Sequence, residues 1–191
     1  MIRFFILVIM LITNTANALK NSSSSRSSMS ICSIMQAQYT GINLPEFYKV
    51  TSMKAVVGAS EDREKFGNKV LRCYKENNYL VVPINKRSKS VEGLDCISDL
   101  KTLTTNVIQG MYSGVSCAKQ IGVSIITGPG VTKGILEEGY KLGIRNFFLQ
   151  PGTYDSSLES FVVSSLPDAK IVKGCVLVDH RWIDTAKVNT L

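Results

Sequence analysis
The sequence predicts an α/β fold: an open parallel sheet of about five strands with helices on both faces. Three observations carry this expectation. Apolar runs of strand length recur at residues 55–57, 79–82, 123–127, 147–149 and 169–172. Each closes near a turn that holds glycine or proline, and most are followed by apolar residues at helical spacing. The first two runs flank a single helical segment, which favours a right-handed crossover between parallel strands.

Taken in order, the chain begins with a leader. Arg3 precedes an apolar run over 4–12, and Ala16-Asn17-Ala18 supplies small residues in an A-x-A arrangement. These are the parts of a secretory signal peptide over 1–18, cleaved after Ala18. The run is short for a spanning helix, so a membrane enters only if the leader stays uncleaved as an anchor. Residues 19–45 begin serine-rich, carry Arg26 and hold no acid. They read as a disordered linker or as a transit-like segment. A signal peptide followed by such a segment resembles the bipartite leader of proteins imported into complex plastids; the alternative is plain secretion.

The domain is expected over 46–191, starting near Pro45-Glu46-Phe47. Ala55, Val56 and Val57 make a strand that stops at Gly58-Ala59-Ser60. Phe66, Val70, Leu71 and Tyr74 mark a helix that Asn77-Asn78 ends, and Tyr79-Leu80-Val81-Val82 is a strand stopped by Pro83. A basic loop follows (Lys86-Arg87-Ser88-Lys89), then a short connection through Val91-Glu92-Gly93-Leu94 with one helical turn near residues 97–100. Residues 102–121 read as a loop with a weak helix, because Gly110 and Gly114 interrupt Val107, Met111, Val115 and Ala118. Residues 123–127 form a strand closed by Gly128-Pro129-Gly130, with Thr132 as a candidate cap for the helix of Ile135, Leu136, Tyr140 and Leu142. Phe147-Phe148-Leu149 ends at Gln150-Pro151-Gly152, and Asp155 or Ser156 caps a helix carrying Leu158, Phe161 and Val162. A last strand at 169–172 leads through Gly174 and Cys175 into a terminal helix or turn.

The formal charge of +7 is uneven: Arg3, Lys20 and Arg26 precede the first acid, so the domain sets 19 of the 22 basic groups against all 15 acidic ones. A mildly basic domain suits an anionic small ligand. With no basic stripe interleaved with aromatics, nucleic acid is not expected as a partner. Cysteines at 32, 73, 96, 117 and 175 show neither a CxxC pair nor zinc spacing, which predicts free thiols in a reducing compartment.

Ligands of parallel sheets lie beyond the carboxyl ends of the strands. Three turns should meet there: Gly58-Ala59-Ser60, Thr127-Gly128-Pro129-Gly130 and Gln150-Pro151-Gly152. Glycine lets a ligand reach the backbone, and helix N-termini present N–H groups to an anion, so a diphosphate is the natural guest. The dinucleotide fingerprint G-x-G-x-x-G is absent: Ser60 stands at its second glycine and Arg63 further on, and Asn85 rather than an acid closes the second strand. A conventional NAD dehydrogenase is disfavoured, and a P-loop NTPase is excluded because no glycine loop runs into GKS or GKT. His180, the only histidine, is expected at the surface, and Cys175 as a packed strand-end residue rather than a nucleophile.

These turns, together with Val81-Val82-Pro83-Ile84-Asn85, residues 123–131, Leu142-Gly143-Ile144 and the closing Lys173-Gly174-Cys175 and Asp179-His180-Arg181, resemble the stand-alone CoA-binding domain family. That family is related to the CoA-binding domain of succinyl-CoA synthetase. The resemblance covers about residues 50–182 and implies a Rossmann-like fold with CoA or an acyl-CoA at the strand ends. Carried over residue by residue, Gly58, Ala59 and Ser60 meet the phosphates, and Asn85, Pro83 and Lys86 line the adenosine side. Thr127, Gly128 and Pro129 flank the ligand, and Gln150, Pro151 and Gly152 close the crevice. The synthetase's phosphohistidine segment has no counterpart, so no catalytic residue is implied. Two alternatives from other classes stay open: an enzyme acting on an acyl-CoA thioester near Cys175 or residues 102–121, and an NAD(H)-binding redox module.

Overall fold
The computed structural model describes residues 43–184; the expected signal peptide and nearly all of the serine-rich segment lie outside the described residues. Helix α1 (Leu44–Val50) opens on Asn43, whose side-chain oxygen accepts from the Glu46 N–H. Its Phe47 is fully buried over Gly122, where a Cβ would come within 2.7 Å of the ring.

Five parallel strands make the sheet: β1 (Met53–Val57), β2 (Leu80–Ile84), β5 (Ile121–Ile125), β6 (Asn146–Leu149) and β7 (Lys170–Lys173). Their order is β2-β1-β5-β6-β7. Between β2 and β5 the chain makes a small hairpin, β3 (Ser90–Val91) and β4 (Leu94–Asp95). The helices are α2 (Phe66–Glu76), α3 (Leu100–Ile108), α4 (Pro129–Lys141), α5 (Ser156–Ser165) and the short α6 (Val176–Asp179). Strand residues alternate between two cores. Ala55, Val123, Phe147 and Ile171 pack with Leu103 of α3, Leu136 of α4 and Leu158 of α5. Val56, Val81, Phe148 and Val172 pack with Phe47 of α1, Val70 and Tyr74 of α2, and Val176 of α6. Each fully buried Leu, Ile or Phe contributes about 1.5–3 kcal/mol. Helices therefore cover both faces, as the sequence predicts.

Several local expectations are corrected. Pro83 does not stop the second strand but sits inside β2. The strand lies at the sheet edge, and Pro83's carbonyl accepts from the Ile97 N–H on the outer side, so its missing N–H removes nothing from the ladder with β1. The 123–127 strand runs from Ile121 to Ile125, leaving Ile126 and Thr127 in the turn. Residues 91–94 are a hairpin, because Glu92 (φ 51) and Gly93 (φ 76) adopt the left-handed pair that a two-residue turn needs. The weak helix expected within 102–121 begins at Leu100, where the Asp99 carboxylate accepts from the Thr102 N–H, and is over by Gly110 (φ 74). Thr132 does not cap α4; Gly128 does, with Pro129 in the first turn.

Register sets where a ligand can lie. Val57 is level with Ile84 and Ile125, Ile125 with Leu149, and Leu149 with Lys173, so all five strands end at one line. From β1 the chain winds to β2 on one side, then crosses back to β5 on the other. The strand order reverses between β1 and β5, and a crevice opens at such a switch point.

Candidate functional site
The switch point is bounded by the turns after β1 and β5. Gly58 leaves β1 at φ 94, a conformation only glycine adopts cheaply. The Ile126 N–H donates to Val57 O at 3.0 Å, which sets the second turn directly beside the first. Gly58 and Gly128 are exposed, Ser60 and Thr127 half-buried, and Ala59 buried. Thr132 steadies the second turn by donating to Thr127 O at 2.9 Å and Gly128 O at 3.1 Å.

Two helices begin at this line without a side-chain cap: α2 at Lys65 and α4 at Gly128. Their first-turn N–H groups and the positive ends of their dipoles favour an anion there. Apart from the adjacent residues and the helix's own backbone, no heavy atom of the described residues lies within 4 Å of where a Cβ would stand at Gly128, Gly130 or Gly152, so the backbone is open to a ligand at all three.

The first turn is braced by residues that sequence reading missed. A Cβ on Gly67 would lie 1.9 Å from Gly58 O, so α2 packs with its backbone directly against the turn. This is the close helix–strand approach that the third glycine of a dinucleotide fingerprint provides, displaced along the chain by a longer loop. Asn68 is fully buried and donates to Ser60 O and to Glu92 Oε1, both at 2.9 Å. Its Oδ1 accepts from Arg72 Nε, and Arg72 makes a two-pronged bond to Asp184 at 2.6 and 2.9 Å. A glycine and an asparagine opening a helix after a strand-end turn were the available signal.

On the β2 side, Pro83 is buried, Asn85 half-buried and Lys86 exposed. Asn85 Nδ2 donates to Ala59 O at 2.9 Å, and its Oδ1 accepts from Arg87 N at 2.8 Å and Ser88 N at 3.2 Å. The residue thus ties the β1 turn to the basic loop. Nearby, Asp99 titrates below the usual carboxylate range through the Thr102 N–H and the Ser98 hydroxyl, helped by the charge of Lys86. Beyond β6, Gln150 is buried, with Oε1 accepting from Val176 N at 3.2 Å and Nε2 without a partner among the described residues. Pro151 and Gly152 are exposed beside it. The structure therefore brings all twelve sequence-selected positions to the carboxyl side of one sheet.

The other residues weighed fall elsewhere. His180 is not a free surface group: its ring lies 4.9 Å from Tyr48 and 5.5 Å from Tyr79, and burial lowers its pKa. Cys175 is a free thiol just beyond β7, at the start of α6. Within 102–121, Leu103, Val107 and Val115 are buried in the core.

A family model described as a CoA binding domain matches residues 53–181. No curated protein matches the chain. A protein from Thermus thermophilus is similar in structure at 21% identity and a TM-score of 0.57, covering 73% of this chain and 98% of its own. A conserved hypothetical protein from Pyrococcus furiosus, 22% identical, reaches 0.54 over 68% of this chain and 98% of its own. A hypothetical protein from Pyrococcus horikoshii, 20% identical, reaches 0.55 over 74% and 92%. At these identities the likeness is one of fold.

Proposed function
The chain belongs to the CoA-binding domain family, and on that premise we propose that it is a CoA-binding module holding CoA or an acyl-CoA along the carboxyl edge of its sheet. The observation that carries this reading is the pairing of two uncapped helix N-termini with open glycine turns across the β1/β5 switch point. The diphosphate lies over Gly58-Ala59-Ser60 and the start of α4, bound mainly by backbone N–H groups. The adenosine lies toward Asn85 and Lys86, where the exposed Lys86 and Arg87 meet the phosphate that CoA carries on its ribose. Gln150, Pro151 and Gly152 close the far side, along which the pantetheine arm runs.

The test is calorimetric titration of the protein with CoA, acetyl-CoA, NADH and ATP side by side. CoA is expected to bind at least tenfold more tightly than NADH. Gly128→Trp should remove CoA binding while the fold remains, because the position is open and its φ of −66 suits any residue. Losing the glycine cap costs about 1 kcal/mol. NADH preferred over CoA, or full CoA affinity in the folded Trp variant, would overturn the reading.

A further inference from the structure
The opposite, amino edge of the sheet holds a groove of about 450 Å³ that no part of the CoA reading uses. It lies where β5, β6 and β7 begin, with Val50 of α1 on its rim. Three of its lining residues are cations: Lys119, Arg145 and Lys170.

Arg145 is fixed in place. Its Nε donates to Asp168 at 2.8 Å, its Nη1 donates to Tyr140 O at 2.8 Å and Ile144 O at 2.9 Å, and its guanidinium lies 4.0 Å from the Tyr140 ring centre. Among the described residues Nη2 has no hydrogen-bond partner. A guanidinium held on three of its donors, with a nitrogen to spare, is organised for an anion before one arrives. Lys119 is exposed, and Lys170 meets Glu46 only at 3.5 Å.

Asn146 adds a second demand. It lines the groove, is 3% exposed, and donates through Nδ2 to Lys119 O at 2.7 Å. That bond fixes its orientation and leaves Oδ1 as a buried acceptor with no donor among the described residues. Such an acceptor is costly unless something donates to it. Asp168, bonded by Arg145 and by the Tyr140 hydroxyl, is a further acceptor on the same wall.

We propose that this groove is a second small-molecule site, for a small carboxylate or phosphate that also carries an N–H or O–H donor. The anion meets Arg145 Nη2, Lys119 and Lys170, and the donor meets Asn146 Oδ1 after a small side-chain shift. The site lies at the far end of the strands from the crevice, so it does not depend on the CoA reading.

The test is NMR on the isotope-labelled full chain, following the Asn146 side-chain amide and the Arg145 Nε signals. L-Malate, succinate and inorganic phosphate are the probes, with sodium chloride as the ionic-strength control. Malate and succinate are both dicarboxylates, but only malate carries a hydroxyl donor. Saturable shifts with malate and phosphate are expected, with malate at least threefold tighter than succinate. Lys119→Glu and Lys170→Gln should each weaken malate at least fivefold, with the backbone amide spectrum away from the groove and the urea midpoint unchanged as measures of intact fold. No saturable shift, a shift reproduced by chloride, or full malate affinity in both variants would overturn the proposal. Equal affinity for malate and succinate would overturn the role of Asn146.

Discussion
Replacing Gly67 with alanine tests how the turn after β1 is built. The new Cβ would stand 1.9 Å from Gly58 O and 2.9 Å from Gly58 C, so turn and helix must part by about 1 Å before the contact is tolerable. Neither side yields easily. Helix α2 is anchored by Val70, Leu71 and Tyr74, all fully buried. The turn is held by Ile126 N on Val57 O and by Asn85 Nδ2 on Ala59 O. Overpacking at such a place costs about 1–3 kcal/mol, while alanine returns at most about 1 kcal/mol of helix propensity. The expected net effect is a loss of about 1–2 kcal/mol. Gly134, inside α4 with nothing within 4 Å of its Cβ position, is the counterpart. There the same substitution should stabilise by about 0.5–1 kcal/mol. Urea denaturation of both variants measures the contrast, and calorimetry on Gly67→Ala should show CoA affinity down at least tenfold because the turn has moved. Two glycines responding with the same sign, or a Gly67→Ala protein as stable as the parent, would refute the reasoning.

Lys54 is fully buried against Thr51 and the rings of Phe47, Tyr48 and Tyr79, and burial lowers its pKa to about 8 from 10.5. Between those values the unfolded chain keeps a proton that the native state has released, so this group makes stability rise with pH. Burial raises the Cys73 thiol to about 12 from 9.0, so above about pH 9 that group lowers stability as pH rises. The net gain from these two groups is therefore confined to about pH 8–9 in denaturation curves. Lys54→Met should abolish that rise, which the pH dependence of urea midpoints measures. Asp184→Asn removes the charged partner of the Arg72 guanidinium, 3% exposed, and should cost about 3 kcal/mol in thermal or urea unfolding. Lys86→Ala combined with Arg87→Ala should weaken CoA at least fivefold and dephospho-CoA hardly at all, in titrations whose salt dependence falls in parallel.

What could be read from the sequence was what local chemistry dictates. Val56-Val57-Gly58 and Phe148-Leu149-Gln150-Pro151 announce buried strands that stop at turns, and their alternation with helices leaves few topologies besides a parallel sheet. Asp155 was legible as a cap and accepts from the Leu158 N–H. What was not legible depends on tertiary placement. Pro83 reads as a strand breaker until β2 is known to lie at the edge with Ile97 outside it. The left-handed pair at Glu92 and Gly93 is hidden because glutamate rarely takes a positive φ. Gly67 looks like a weak point in a helix, and only the approach of Gly58 gives it a role. His180 looks solvent-facing by composition, yet three tyrosines surround it.

On the CoA reading proposed above, the end of β2 is where the choice between CoA and a simple dinucleotide is made. A conventional NAD site places an acid there to accept from the ribose diol. Here the position belongs to Asn85, whose two ends are committed to Ala59 O and to the Arg87 and Ser88 N–H groups. Those bonds make it a brace between the first turn and the basic loop, not a diol acceptor. The same brace holds the loop backbone while Lys86 and Arg87 remain exposed, so the loop that follows the acid's usual position is cationic. A hydroxyl gains little from that exchange, whereas a phosphate on the ribose gains a charge-assisted partner. An Asn85→Asp variant reverses the sign at this point and also removes the donor to Ala59 O. It should lose CoA affinity more than tenfold, and NADH should gain relative to CoA in paired titrations. A variant that keeps its preference for CoA would show that the loop cations do not set the choice of nucleotide.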